Sequence, residues 1–156
     1  MKLSTRVRYG LRAMVELAKR PDDKPISLRE LAEKQQISPK YLEQMAAALK
    51  IAGLLESIRG AEGGYRLGRP AGEITAWDVY QVLDIATTPT DCLNHHCNRE
   101  KICACRELWD DLNRSIVEIL KSYTLQKLAK RETALQKKHG TGYPPGCGIS
   151  KSDKKN

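Results

Sequence analysis

Four cysteines that lie close together in the sequence are the residues best suited to chemistry. They are Cys92, Cys97, Cys103 and Cys105, spaced Cys-x4-Cys-x5-Cys-x-Cys, in a chain of 156 residues with five cysteines. Thiolates bind soft and borderline metals and iron–sulfur clusters. The spacing matches neither the separated cysteine pairs of zinc sites nor the ferredoxin run. It therefore leaves open an iron–sulfur cluster, a thiol redox switch, a zinc site and inert thiols.

The neighbours of these cysteines bear on the four alternatives. Arg99, Lys101 and Arg106 favour the thiolate form, and with it metal binding or redox chemistry over inert thiols. His95 and His96 are further candidate metal ligands, although a pair of loop histidines is more often simply solvated. The fifth cysteine, Cys147, lies in a polar C-terminal segment and is predicted to be free.

Composition indicates a cytoplasmic protein with no membrane partner. The sequence contains no apolar run long enough to span a bilayer, and its N-terminus lacks the apolar stretch of a signal peptide. Thiols stay reduced in the cytoplasm, so clustered cysteines there favour metal or redox roles over structural disulfides. The net charge of +8 is a modest pointer to nucleic acid. Much of this charge lies in the C-terminal tail, so net charge alone does not establish DNA binding. The positions of the basic residues in the folded part have to be considered.

The N-terminal half predicts a helix-turn-helix followed by a hairpin. Apolar periodicity predicts helices at 4–20, 28–35 and 39–51. Ser27 is the N-cap of the second of these helices and Ser38 that of the third, which begins with Pro39. Strands at 55–58 and 65–67 flank the glycine-rich RGAEGG turn. A hairpin directly after a helix-turn-helix is the wing of winged-helix domains, so the fold class is predicted to be mainly α.

The polar outer face of the third helix is the candidate for reading DNA. An α-helix fits the major groove, where lysine pairs with guanine or phosphate, glutamate with cytosine and glutamine with adenine. An arginine at the wing tip suits a narrow minor groove. The alternative is a solvated helix face and an ordinary hairpin. The predicted DNA-binding residues are Pro39, Lys40, Tyr41, Glu43, Gln44 and Arg59. The chain shows no nucleotide-binding loop and no catalytic constellation, so it is not expected to be an enzyme.

The C-terminal half is organised around one long amphipathic helix. After a helix at 75–85, an apolar stripe predicts a second helix at 105–123, interpreted as a dimerisation element. The alternative is that it covers only the core of its own chain. A short capped helix follows, and disorder is predicted from Thr133 onward. The predicted divisions are a DNA-binding domain at 1–86, a cluster-binding loop at 87–105, dimerisation and short helices at 106–132, and a tail at 133–156.

Four stretches of the chain together resemble a known family. They are MKLSTRVRYGLRAM, ISPKYLEQM, SIRGAEGGYRL, and Cys92, Cys97 and Cys103 with Trp109 six positions beyond the last. On these the chain resembles the IscR/NsrR (Rrf) family of winged-helix transcription regulators, most of all its IscR-type iron–sulfur cluster regulators. The match runs from Met1 to about Lys130.

The resemblance implies a homodimer on a palindromic DNA site. It also implies a [2Fe-2S] cluster held by Cys92, Cys97 and Cys103, control of cluster-biogenesis genes, and discrimination between DNA sites by Glu43.

Two departures affect the implied ligand set. The first two cysteines are separated by four residues instead of five, and Arg106 stands where the family's usual fourth ligand is a histidine. The fourth ligand is then Cys105, one of the two histidines, or a residue from elsewhere, including the partner chain, or else the fourth position is open. A nitric-oxide or thiol-redox-sensing repressor and a zinc-stabilised interaction module are the alternative functions.

Overall fold

The computed structural model describes residues 3–20, 24–60, 62–84 and 88–140. Its elements confirm the predicted mainly α winged-helix class. In chain order they are α1 (Thr5–Ala18), α2 (Leu28–Gln35), α3 (Pro39–Ile51), β1 (Leu55–Ile58), β2 (Gly64–Leu67), α4 (Ala76–Leu83), a 3-10 turn (Asp91–Leu93), α5 (Ala104–Ser122) and α6 (Leu125–His139).

Side-chain caps fix where most helices begin. Ser27 accepts a hydrogen bond from the backbone N–H of Glu30, and Ser38 does the same for Tyr41, so α2 and α3 start as predicted. Between these helices Gln36 adopts the left-handed conformation, with φ of 55°, which ends α2 and turns the chain tightly into α3.

The core forms around α1, which contacts α2, α3, α4, β2 and α6. Met14 of α1 and Met45 of α3 are both completely buried. α1 and α4 cross so closely at Gly10 that a Cβ there would overlap the side chain of Leu83. Helix α3, whose outer face is the predicted DNA-reading surface, is therefore held by a packed core and not by loops.

The wing is hydrogen-bonded to the segment that enters α2. β1 and β2 pair antiparallel, from Leu55 opposite Leu67 to Ile58 opposite Gly64. Tyr65 of β2 also exchanges two backbone hydrogen bonds with Ile26, at 2.8 and 2.9 Å. The wing and the helix-turn-helix are thus joined through their backbones.

A short antiparallel junction fastens the end of α5 to the winged-helix domain. The backbone N–H of Ala76 donates to the carbonyl of Tyr123 at 2.8 Å, and that of Leu125 donates to Ile74 at 2.8 Å. Leu125 and Ile74 are both completely buried. The chain therefore returns from α5 into the core of the winged-helix domain.

The C-terminal helix is longer than predicted. We predicted disorder from Thr133, but α6 continues to His139. Leu125 and Ala129 are buried against α1, and Glu132 lies 3.7 Å from Lys19. Tertiary packing therefore anchors the first half of α6, and residues 133–139 continue the same helix with mostly exposed side chains. Residues 141–156, including Cys147, lie outside the described residues.

None of the helices within the described ranges is long and apolar enough to cross a membrane.

Candidate nucleic-acid interface and cysteine loop

The predicted reading residues of α3 lie on its solvent side. Leu42, Met45, Ala46 and Leu49 are buried on the inner face. The exposed residues are Pro39, Lys40, Glu43 and Gln44. A convex helix with a polar outer face and a buried inner face can enter a major groove without unpacking its own domain.

Tyr41 has a different environment from the other predicted reading residues. It is half-buried, and its ring meets that of Tyr9 edge-to-face, with centroids 6.4 Å apart. The guanidinium groups of Arg8 and Arg12 lie 5.8 and 5.5 Å from the Tyr9 ring centroid. Sequence reasoning did not select these two arginines as candidate DNA contacts. It missed that the Tyr9–Tyr41 contact places them beside the start of α3.

At the wing, the two neighbouring arginines have different surroundings. Arg66 donates twice to one carboxylate oxygen of Glu56 on the opposite strand, at 2.9 and 3.0 Å. Arg59 is exposed at the wing tip and forms no ion pair with any residue that the structure describes. Arg66 therefore stabilises the hairpin, while Arg59 can project its charge toward a ligand.

The four clustered cysteines lie in and beside an irregular segment that leads into α5. We call residues 88–103 the cysteine loop. All four thiols are free; Cys92 and Cys105 are exposed, whereas Cys97 and Cys103 are half-buried. Cys103 is the N-cap residue of α5 and Cys105 lies in its first turn. Any group that these thiols bind is thus directly attached to that helix.

Arg106 and Glu100 organise the polar contacts of the loop. Arg106 Nη1 donates to the carbonyl oxygen of Cys92 at 2.9 Å and lies 3.8 Å from Glu100 Oε2. The same Glu100 oxygen lies 3.5 Å from His96 Nδ1. His95 is exposed. Arg106, which stands where the family resemblance expects a histidine ligand, therefore holds the loop by hydrogen bonding.

The donor set suits an iron–sulfur cluster in kind but is not gathered into a closed site. Within residues 88–140, as in the rest of the described chain, no three Cys, His, Asp or Glu side chains come together as a metal-binding group. A cavity of about 550 Å³ lies between the loop and α5, lined by Leu93, Cys103 and Arg106 among others. Of the four clustered cysteines only Cys103 lines this cavity, so binding of one group by the whole set would require the other thiols to converge on it.

α5 exposes an apolar face. None of its 19 residues is buried. It contacts α4 and the turn at the start of the cysteine loop, and Leu120 packs against the core. The large apolar residues that remain exposed here are Leu108 (57%), Leu112 (38%), Ile119 (60%) and, just past the helix, Tyr123 (42%). A single chain therefore leaves most of this stripe uncovered.

Comparisons with known proteins agree with this architecture. A family model described as Rrf2, iron-dependent transcriptional regulator, matches residues 3–131. The chain is 43% identical to the transcriptional regulator CymR of Bacillus subtilis over 129 residues, which cover 83% of this chain and 90% of that protein.

Two solved structures are similar along most of the chain. The structure of CymR, the global cysteine regulator of B. subtilis, matches with a TM-score of 0.73 and 41% identity, covering 84% of this chain and 98% of that one. The structure of T. potens IscR matches with a TM-score of 0.74 and 35% identity, covering 87% and 91%. These similar proteins are named as regulators, not as enzymes.

Proposed function

We propose, on the premise that this chain belongs to the Rrf2 family of transcriptional regulators, that it is a homodimer whose DNA binding responds to an iron–sulfur cluster on the cysteine loop. Like its relatives, the chain is a DNA-binding regulator and not an enzyme. One observation carries the proposal: Cys103 caps α5, the helix whose apolar face is exposed. A group bound by the loop is therefore attached to the element that would join two subunits.

The solvent side of α3 and the wing tip support the DNA-binding part. Lys40, Glu43 and Gln44 are exposed beside one another on α3, and Arg59 is exposed at the wing tip. A twofold dimer presents two copies of these surfaces, one from each subunit. This arrangement suits a palindromic site with its two half-sites in successive major grooves. Glu43 would be unfavourable near some bases and so contribute to discrimination between sites.

Thiol chemistry supports the cluster part. Cys92, Cys97 and Cys103 are proposed to hold a cluster, most simply [2Fe-2S], and Cys105, His95 or His96 is the candidate fourth ligand. When bound, such a cluster supplies a redox-active centre whose presence reports the supply of iron and sulfide. Genes of cluster biogenesis are the targets that fit this signal.

A thiol-responsive regulator is the second candidate. It is supported by the four free thiols, two of which are exposed. The relative named as a global cysteine regulator points the same way. In this alternative the loop would respond through its thiols and no metal would be required.

Anaerobic purification followed by iron, sulfide and zinc analysis tests the proposal. We expect visible absorption with equal iron and sulfide, lost in each of Cys92→Ala, Cys97→Ala and Cys103→Ala. Cys147→Ala is the matched control and should keep its colour. Affinity for a palindromic promoter fragment should differ between the cluster-loaded and cluster-free proteins.

The other outcomes separate the alternatives. A colourless protein whose DNA affinity changes with thiol oxidation supports the thiol-responsive regulator. One zinc per chain with no DNA binding supports a zinc-stabilised interaction module. Either result would overturn the cluster proposal.

A further inference from the structure

One side chain bridges the start and the middle of the cysteine loop from the first turn of α5. Arg106 donates to the carbonyl of Cys92, fourteen positions earlier, at 2.9 Å, and lies 3.8 Å from the Glu100 carboxylate. Its side chain is 33% exposed. A single guanidinium thus contacts two separate parts of the loop while remaining partly shielded from water.

The other hydrogen bonds of the loop are local. Asn94 Nδ2 donates to Thr88 Oγ1 at 2.6 Å. The backbone N–H groups of Asn94 and His95 donate to the carbonyl of Asp91 at 3.0 and 3.2 Å. Such bonds shape a turn but do not fasten it to anything else. Among the hydrogen bonds in the described residues, the bond from Arg106 is the one that ties the Cys92 turn to α5.

Arginine is chemically suited to this bridging position. Its planar guanidinium carries five N–H donors and a permanent charge, so Nη1 can donate to the Cys92 carbonyl while the charge attracts the Glu100 carboxylate 3.8 Å away. A histidine acting as a metal ligand could not make the same pair of contacts. A lysine would offer a compact charge on a flexible stem in place of the planar guanidinium.

We propose that Arg106 is a positioning residue that clasps the Cys92 turn to α5 and so shapes the cysteine loop before any cluster binds. The residue takes a structural part at a position where the resembled family has a ligand. The inference rests on the proposed function only in one respect, that the cysteine loop supplies the ligands of the cluster. The clasp itself is a property of the cluster-free chain and can be measured there.

Hydrogen–deuterium exchange of the reduced, cluster-free protein tests the clasp. The amides of Asn94 and His95 are the probes, because both are protected by the turn that contains Cys92. Arg106→Ala should speed their exchange about fivefold, the population change expected on losing one partly exposed hydrogen bond from a charged group. Arg106→Lys should give an intermediate rate.

Arg99→Ala is the matched control. Arg99 is an exposed arginine of the same loop and forms no side-chain ion pair with the described residues. Its removal should leave the exchange of Asn94 and His95 unchanged. The amide of buried Met14 in α1 reports whether each variant keeps the global fold.

Two results are distinguishable. Exchange in Arg106→Ala equal to that in Arg99→Ala would refute the clasp, whatever the colour of the wild-type protein. Faster exchange in Arg106→Ala together with a wild-type chain that never binds iron would uphold the clasp and overturn the cluster part of the proposed function. With both correct, the loaded Arg106→Ala protein should lose iron to a chelator faster than loaded Arg99→Ala.

Discussion

Removing the exposed side chain of Ile119 should weaken the proposed dimer specifically. Ile119 is 60% exposed on the apolar face of α5 in the single chain. If that face is covered by a second copy, Ile119→Ala removes apolar contact from the interface without touching the core. Ile51→Ala is the matched control, because Ile51 is 89% exposed at the end of α3, on a different surface.

The size of the effect follows from the exposed fraction. Complete burial of an isoleucine stabilises by about 1.5–3 kcal/mol. The exposed part of Ile119, less the Cβ that alanine retains, corresponds to about 1 kcal/mol per subunit. A twofold interface contains the residue twice, so the dimer should lose about 2 kcal/mol, which is a rise of about 30-fold in its Kd.

Sedimentation over a dilution series measures this Kd directly. Ile51→Ala should dissociate at the same concentration as the wild-type protein, and Ile119→Ala at a concentration about 30-fold higher. Equal midpoints for the two variants would show that the apolar face of α5 is not the subunit interface. The reasoning from exposure to dimerisation would then be wrong.

Three further variants test the wing, the core and an ion-pair network. Arg59→Ala should weaken DNA binding and lower the slope of log affinity against log salt by about one, as one lost phosphate contact does; an unchanged slope in a salt titration would leave the wing without a phosphate contact. Gly10→Ala should lower the free energy of unfolding by about 1–3 kcal/mol in urea titration, because the added methyl group overlaps Leu83 in the core. Glu16→Gln should lower the free energy of unfolding by about 2 kcal/mol in the same assay, since the buried carboxylate pairs with Lys34 at 3.1 Å. An unchanged free energy of unfolding would mean that water takes the place of the lost ion pair.

Local signals predicted the DNA-binding half well. Ser27 and Ser38 are caps, and Pro39 is a first helical residue, so the bounds of α2 and α3 could be located from the sequence. The alternation around the glycine-rich turn located the wing, although β2 begins one residue earlier, at Gly64. These features depend on contacts between residues close in sequence, which a pattern can reveal.

Features that depend on distant contacts were not predictable in the same way. The first half of α6 is held by its packing on α1, and the partly buried position of Tyr41 depends on Tyr9. The sequence also could not show that Arg106 contacts the Cys92 carbonyl, since its position suggested a missing ligand and a charge that favours thiolates. The sequence therefore indicated which residues are candidate metal ligands, but it could not indicate the distances between them.

The junction at Tyr123 gives α5 one fastened end and one end that carries the thiols. Its two backbone hydrogen bonds, from Ala76 to Tyr123 and from Leu125 to Ile74, join it to the winged-helix domain, while Cys103 is the N-cap residue at the opposite end. A helix of 19 residues is about 28 Å long. In the proposed dimer, a shift at the thiol end of α5 would therefore be transmitted through this junction to the winged-helix domain. The distance between the two α3 helices of that proposed dimer, and with it the half-site spacing that fits them, would then depend on the conformation of the cysteine loop.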